Sequence, residues 1–141
     1  MTLSLVAAPR IIVGALDHGA RQGMKPLSVV VLDAGGHPIA FERSDGSSPG
    51  RFEIARAKAY GAVMLGMGGA AQKARAETQA YFMAALSGVF DGKILPVPGG
   101  VLVRDGAGRV IGAVGVTGDT SENDAAAALS GIEAAGLAGE A

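Results

Sequence analysis

Val101-Leu102-Val103-Arg104-Asp105-Gly106-Ala107-Gly108-Arg109-Val110-Ile111-Gly112-Ala113-Val114-Gly115-Val116 is the stretch whose reading decides the fold. Two β-branched apolar runs flank Asp105-Gly106-Ala107-Gly108, and Asp-Gly between such runs is the strongest short signal for a tight hairpin. Pro96-Val97-Pro98-Gly99-Gly100 is a rigid lead-in to the first strand, 101–104. The return strand, 109–116, carries Gly112 and Gly115, which imply close backbone approach by a helix or a ligand. The pattern occurs once more upstream. Leu27 to Leu32 is a continuous apolar run suited to a buried strand, Asp33-Ala34-Gly35-Gly36 is a turn, and 37–43 returns.

The segments around these hairpins read as helices. Over 3–22, Ile12, Leu16 and Ala20 form an apolar stripe that Gly23 ends. Over 51–67 the inner stripe is Ile54, Ala57, Gly61, Met64 and Leu65. A third helix is expected over 70–88, with Ala80, Met83, Ala84 and Leu86 inward, and a last one over 124–137, with Leu129, Ile132 and Gly136 inward. Ser121 and Asp124 make a weak capping pair ahead of it. The order α, hairpin, α, α, hairpin, α excludes a βαβ arrangement, because each strand pair is joined by a tight turn. Two hairpins merge into one antiparallel sheet with helices packed on it, an α/β (α+β) domain spanning 1–141.

Composition narrows the function. Lys and Arg number 12 and Asp and Glu 13, a net charge of −1 that argues against a nucleic-acid partner. No Cys is present, which excludes disulfides, thiolate metal sites and Cys nucleophiles. Only two His are available, so a multi-His metal site is excluded. With 4 Phe, 2 Tyr and no Trp, the core must be built from Ala, Val, Leu, Ile and Met packed around many of the 23 Gly. Such an Ala- and Gly-rich chain is expected to draw stability from homo-oligomer contacts. The longest charge-free run, 59–72, is shorter than the ~18–20 residues of a membrane span. Arg10 and Asp17 interrupt the N-terminal apolar stretch, so no signal peptide is expected and the cytoplasm is the default location.

Several residues invite chemistry. Arg51, Ile54, Lys58, Gly61 and Leu65 recur at helical spacing, so Lys58 lies beside an apolar stripe. Either its stem snorkels outward, or its amine enters a pocket and needs a carboxylate partner or an anionic ligand. Arg43, Asp45 and Arg51 are close in sequence and read as a cationic rim for an anion or as a solvated ion-pair cluster. The backbone amides of Gly99 and Gly100 suit a carboxylate or oxyanion, or form a bulge at the strand start. Asp119, Glu122 and Asp124 gather where a helix N-terminus favours negative charge. His18, on the first helix, reads as a boundary residue, an axial ligand to heme iron or a proton carrier, and His37 as a solvated hairpin residue. Gly66-Met67-Gly68-Gly69 and the run from Gly88 to Lys93 read as helix-end turns rather than phosphate loops.

Taken together, Val29-Val30-Val31-Leu32-Asp33-Ala34-Gly35-Gly36-His37, Phe41-Glu42-Arg43-Ser44-Asp45-Gly46, Ile54-Ala55-Arg56-Ala57-Lys58-Ala59, Pro98-Gly99-Gly100-Val101 and the run from Ile111 to Thr120 resemble the GlcG/HbpS family in order and spacing. That family includes the C-terminal domain of PduO-type adenosyltransferases. The resemblance covers residues 4–137. It implies an antiparallel five-stranded sheet, homo-oligomers, and heme binding, heme degradation or redox sensing in some members. His18 stands where PduO-like members place a helix-borne heme ligand, whereas the partner Cys of some members has no counterpart. Leu102, Gly118-Asp119-Thr120 and Glu122-Asn123-Asp124-Ala125 depart from the family pattern around the expected pocket.

Three functions follow as expectations. A small-ligand-binding protein with heme or a tetrapyrrole as ligand would place His18 at the iron and Arg43, Arg51 and Lys58 at the propionates. A cofactor-independent enzyme on a small anionic catabolic metabolite would hydrolyse an imine or enamine, deaminate or tautomerise. There Arg43, Arg51 or Lys58 would hold a carboxylate, the Gly99 and Gly100 amides would stabilise charge, and Lys58, Asp45, Glu53 or Asp119 would do the catalytic work. A non-catalytic oligomer would bind a small ligand for sensing or delivery.

Overall fold

The computed structural model describes residues 2–141. Its elements run α1 (Ala7–Arg21), β1 (Ser28–Asp33), β2 (Pro38–Arg43), α2 (Arg51–Leu65), α3 (Gly69–Thr78), α4 (Ala80–Val89), β3 (Gly100–Arg104), β4 (Val110–Thr117), α5 (Ser121–Ala134) and β5 (Ala138–Glu140). All five strands form one sheet in the order β2-β1-β4-β3-β5, and every pairing is antiparallel.

The two hairpins are built by the same chemistry. Asp33 Oδ1 accepts from the N–H of Gly35 and His37, and Asp105 Oδ1 accepts from the N–H of Ala107 and Arg109, all at 2.9–3.0 Å. Gly36 and Gly108 occupy the left-handed position of each turn, at φ 83° and 80°. A side-chain carboxylate that mimics a backbone turn, followed by a glycine free to take positive φ, explains why both Asp-containing loops close their strands. His37 is exposed, as expected.

Strand alternation sends alternate residues to opposite faces. Val29, Val31, Val101, Val103, Val114 and Val116 face α1 and α5, where they meet Ile11, Ile12, Ala128 and Ile132. Val30, Leu32, Leu102 and Ala113 face α2 and its Ala55, Ala59 and Ala62. The sheet is thus the middle layer of three. Gly100 and Gly115 are register partners on the α2 side. A Cβ on Gly115 would strike the Ala55 carbonyl, and one on Gly100 the Lys58 carbonyl. These two glycines let the α2 backbone lie directly on the strands.

That close seating corrects the expected helix faces. The buried positions of α2 are Ala55, Lys58, Ala59, Gly61 and Ala62, not the stripe through Ile54, Ala57, Met64 and Leu65. Apart from Lys58, only small residues are buried there, where the backbone itself is the packing surface. In α1, Ile11, Ile12 and Ala15 are buried and Ala20 is exposed. The helix expected over 70–88 is two helices, because Gln79 leaves the helical region at φ −133°, ψ 56°. Met83 and Leu86 are buried there, whereas Ala80 and Ala84 are exposed. The last helix starts earlier than 124 and ends at Ala134, and 138–140 pair with β3 as the fifth strand, held partly by Arg104 to Glu140 at 3.1 Å.

Thr120, not Ser121, caps α5, its Oγ1 accepting from Asn123 N–H at 3.2 Å. Thr120→Ala is expected to cost about 1 kcal/mol in urea unfolding, and Thr120→Ser to stay near wild type. Equal stability of all three chains would show that the cap contributes nothing.

Candidate functional site

The first strand of each hairpin begins, and β4 ends, at one edge of the sheet, where α1 finishes and α2 and α5 begin. On the α2 side of this edge, Lys58 is buried, with 4 % of its side chain exposed, and Asp124 with 2 %. Lys58 Nζ donates to Asp124 Oδ2 and to the Val116 carbonyl, both at 3.1 Å. Asp124 Oδ1 accepts the Asp119 N–H at 2.9 Å. The Lys58 stem lies against Gly99, where a Cβ would come within 2.8 Å of Nζ. Lys58 therefore does not snorkel outward; it takes the carboxylate partner that its position requires. Burial pushes the amine below its ordinary range, opposed by Asp124. Burial likewise pushes the Asp124 carboxyl up, opposed by the Asp119 N–H and by Lys58.

Arg51 belongs to the same edge. Its Nη1 donates to Thr117 Oγ1 at 2.8 Å and its Nε to Ser48 Oγ at 2.9 Å. Thr117 is paired with Ser28, and Ser28 with Arg43, so Arg43 lies in the same cross-strand row. Arg43 and Glu53 are exposed and take part in none of these bonds. Gly99 and Gly100 are stitched to β4, the Gly99 carbonyl accepting from Val116 N–H at 2.9 Å.

The α1 side of the edge is open. His18 is half-buried in the last turn of α1 and lines a cavity of about 330 Å³ with Gln22, Met24, Asn123 and Ala126. Met24 also borders a neighbouring cavity of about 240 Å³, whose walls include Leu16, Lys25, Ser44 and Asp45. Asp119 joins the two sides. Its Oδ1 accepts the Lys25 N–H at 3.0 Å and its Oδ2 accepts from Asn123 Nδ2 at 2.7 Å. These bonds, the Asn123 side chain first, hold the Asp119 carboxyl below its ordinary range. Glu122 is lowered too, first by its own backbone N–H and then by Lys73 at 3.4 Å.

The structure therefore brings together Lys58, Asp119, Arg51, Gly99 and Gly100, and sets His18 and Asp45 on the other side of the Asp119 link. Sequence reading treated Asp124 as one more charge at a helix start. Its spacing held the signal: Asp124, Ala128 and Gly131 fall at i, i+4 and i+7, all buried on α5. A carboxylate on one buried stripe and an amine on another point to a pair. Met24 lies in a segment with no periodic pattern and gave no signal, and Asn123 showed only as part of the run Glu122-Asn123-Asp124-Ala125 that departs from the family pattern. Among the described residues no group of three or more His, Asp or Glu could hold a bare metal ion, and no helix is long and apolar enough to cross a membrane.

Solved structures share this architecture. The PduOC:heme complex superposes with a TM-score of 0.86 at 22 % identity over 97 % of each chain, a likeness of fold alone. A Streptomyces reticuli HbpS double mutant gives 0.82 at 26 % identity, covering 94 % of this chain and 86 % of that one. Klebsiella pneumoniae protein ORFY gives 0.83 at 25 % identity, covering 96 % and 92 %. No relative is found among curated proteins. The model of one family, described as haem degrading protein HbpS-like, matches residues 3–133, and the chain belongs to that HbpS-like family.

Proposed function

We propose that this protein binds heme or a related tetrapyrrole, with His18 as the residue that meets the iron. The observation that carries the reading is the placement of His18 on the wall of an open cavity, with the Met24 side of that cavity continuing into a second one. An imidazole nitrogen and a thioether sulfur are both axial ligands for heme iron. Leu16, Met24 and Ala126 supply apolar wall, and Lys25 in the adjoining cavity supplies a cation for a propionate. The donor set thus fits the group. Heme would bring redox-active iron chemistry; the chain's part is to ligate, to orient and to limit access of water.

The ligand's anionic edge belongs with Lys25 rather than with the expected trio. Arg51 is tied to Thr117 and Ser48, and Lys58 is buried against Asp124. Arg43 lies on the α2 face of the sheet, across from α1. Lys58 lines neither cavity near His18. The low aromatic content, 4 %, fits a ligand seated at the protein's edge rather than one enclosed in a core.

A hemin titration followed by absorbance tests this. Wild type is expected to give a saturable Soret shift near one heme per chain. His18→Ala should weaken it at least about tenfold, since loss of even an outer partner of a metal ligand costs ~10–100-fold. No saturable shift, or an unchanged affinity in His18→Ala, would overturn the proposal.

A further inference from the structure

Among the described residues, the five large apolar side chains that are exposed lie on or beside two helices: Leu5, Val6 and Val13 at α1, Tyr81 and Val89 on α4. The α1 set carries a further pattern. At 100° per residue, Val6, Arg10, Val13 and Asp17 point along one outward stripe, and all four are exposed. Beside the stripe runs a groove of about 460 Å³ between α1 and α5, lined by Pro9, Arg10, Val13, Gly14, Asp17 and Ala134. Gly14 packs against Gly131 of α5, so no side chain from that position fills the groove.

We propose that this face is the contact between two copies of the chain, with α1 packed antiparallel on its symmetry mate across a two-fold axis beside Val13 and Gly14. The stripe is self-complementary about that point. A two-fold axis midway between positions 13 and 14 places Arg10 opposite the mate's Asp17, and Asp17 opposite the mate's Arg10. It also brings Val13 beside the mate's Val13, at the rim of the groove. An isologous interface requires this kind of match, each residue meeting its complement on the same patch. The apolar centre supplies burial, and the two flanking ion pairs fix direction, because a parallel arrangement would set like charges together. Asp17 is bound to Arg21 of its own helix at 3.0 Å, with both side chains more than half exposed. In the assembled pair it accepts from both arginines. The α4 patch lacks such a pattern: no charged residue accompanies Tyr81 and Val89 within α4.

Charge exchange tests the arrangement without relying on a single variant. Molar mass is measured by light scattering on wild type, Arg10→Glu, Asp17→Arg and an equimolar mixture of the two variants. Each variant alone sets like charges together at both ends of the contact and is expected to show half the wild-type mass. In the mixture every end is again an opposite pair, Glu at 10 with Arg at 17 and Asp17 with Arg10, so the wild-type mass should return. Val13→Asp is expected to halve the mass in a way no partner variant restores, and Tyr81→Ser with Val89→Ser to leave this contact intact. A monomeric wild type, single variants that keep the full mass, or a mixture that stays dissociated while both variants are folded by circular dichroism would each overturn the proposal.

Discussion

Lys58→Met is expected to lower the free energy of unfolding by about 3–5 kcal/mol at neutral pH. The loss comes less from the missing bond than from what remains. Asp124, with 2 % of its side chain exposed, keeps a carboxylate with no counter-charge, and the Val116 carbonyl loses its donor. Removing the charge as well should return part of the loss. Lys58→Met with Asp124→Asn keeps an acceptor for the Asp119 N–H, and the pair is expected to be about 2 kcal/mol more stable than the single variant. Acid should do the same. The Asp124 carboxyl is raised in the native state, so the native protein binds its proton at a pH where the unfolded chain does not. As pH falls through that raised value toward the ordinary 3.8, the single variant should gain on the double variant until the two converge. Urea unfolding at a series of pH values checks this. A single-variant loss under about 1 kcal/mol at neutral pH would show that the pair holds no structural weight.

Gly115→Val should be comparably severe, at about 3 kcal/mol or more. A Cβ at Gly115 meets the Ala55 carbonyl oxygen rather than a side chain that can swing aside. β4 is hydrogen-bonded on both edges, to β1 and to β3, so it cannot retreat. α2 would have to lift, and with it Lys58 from Asp124. Gly115→Ala should show the same effect in smaller degree. Gly106→Ala is the control, since a Cβ there meets nothing within 4 Å. It is expected to be neutral or slightly stabilising, by up to ~1 kcal/mol. Thermal unfolding that finds Gly115→Ala as stable as Gly106→Ala would mean that α2 is not seated on the strand backbone.

The sheet was legible because its signals are local. Asp33 and Asp105 announce their turns, and the Val-rich runs have no alternative to burial. β5 was harder, since Ala138, Gly139 and Glu140 carry no strand preference; their pairing with β3 is decided by the neighbour and not by the segment. The inner face of α2 was misread for a related reason. Hydrophobicity picks out Ile54, Met64 and Leu65, whereas Gly100 and Gly115 on the strands select for size, and they lie far from α2 in sequence. Lys58 was legible as an anomaly but its partner was not, because a pair 66 positions apart shows only when both buried stripes are read together. His18 was legible as a lone imidazole on a helix, and the resemblance pointed to the same residue; what the structure adds is Met24 and Asn123 beside it.

The break at Gln79 divides more than a helix. α4 rests mainly on α3, where Arg75 lies 4.0 Å over the Phe82 ring, and its far end is tied to the body through Phe90 against Tyr60 at 6.1 Å. Beyond these contacts only Met83 and Leu86 of α4 are buried, so its amides should exchange with solvent by a local event of lower free energy than global unfolding. The amides of β1 and β4, covered by helices on both faces, should wait for the whole molecule to unfold. A substitution such as Gly115→Ala would then accelerate exchange across the sheet while leaving the rates in α4 unchanged, dividing one domain into two units of cooperativity.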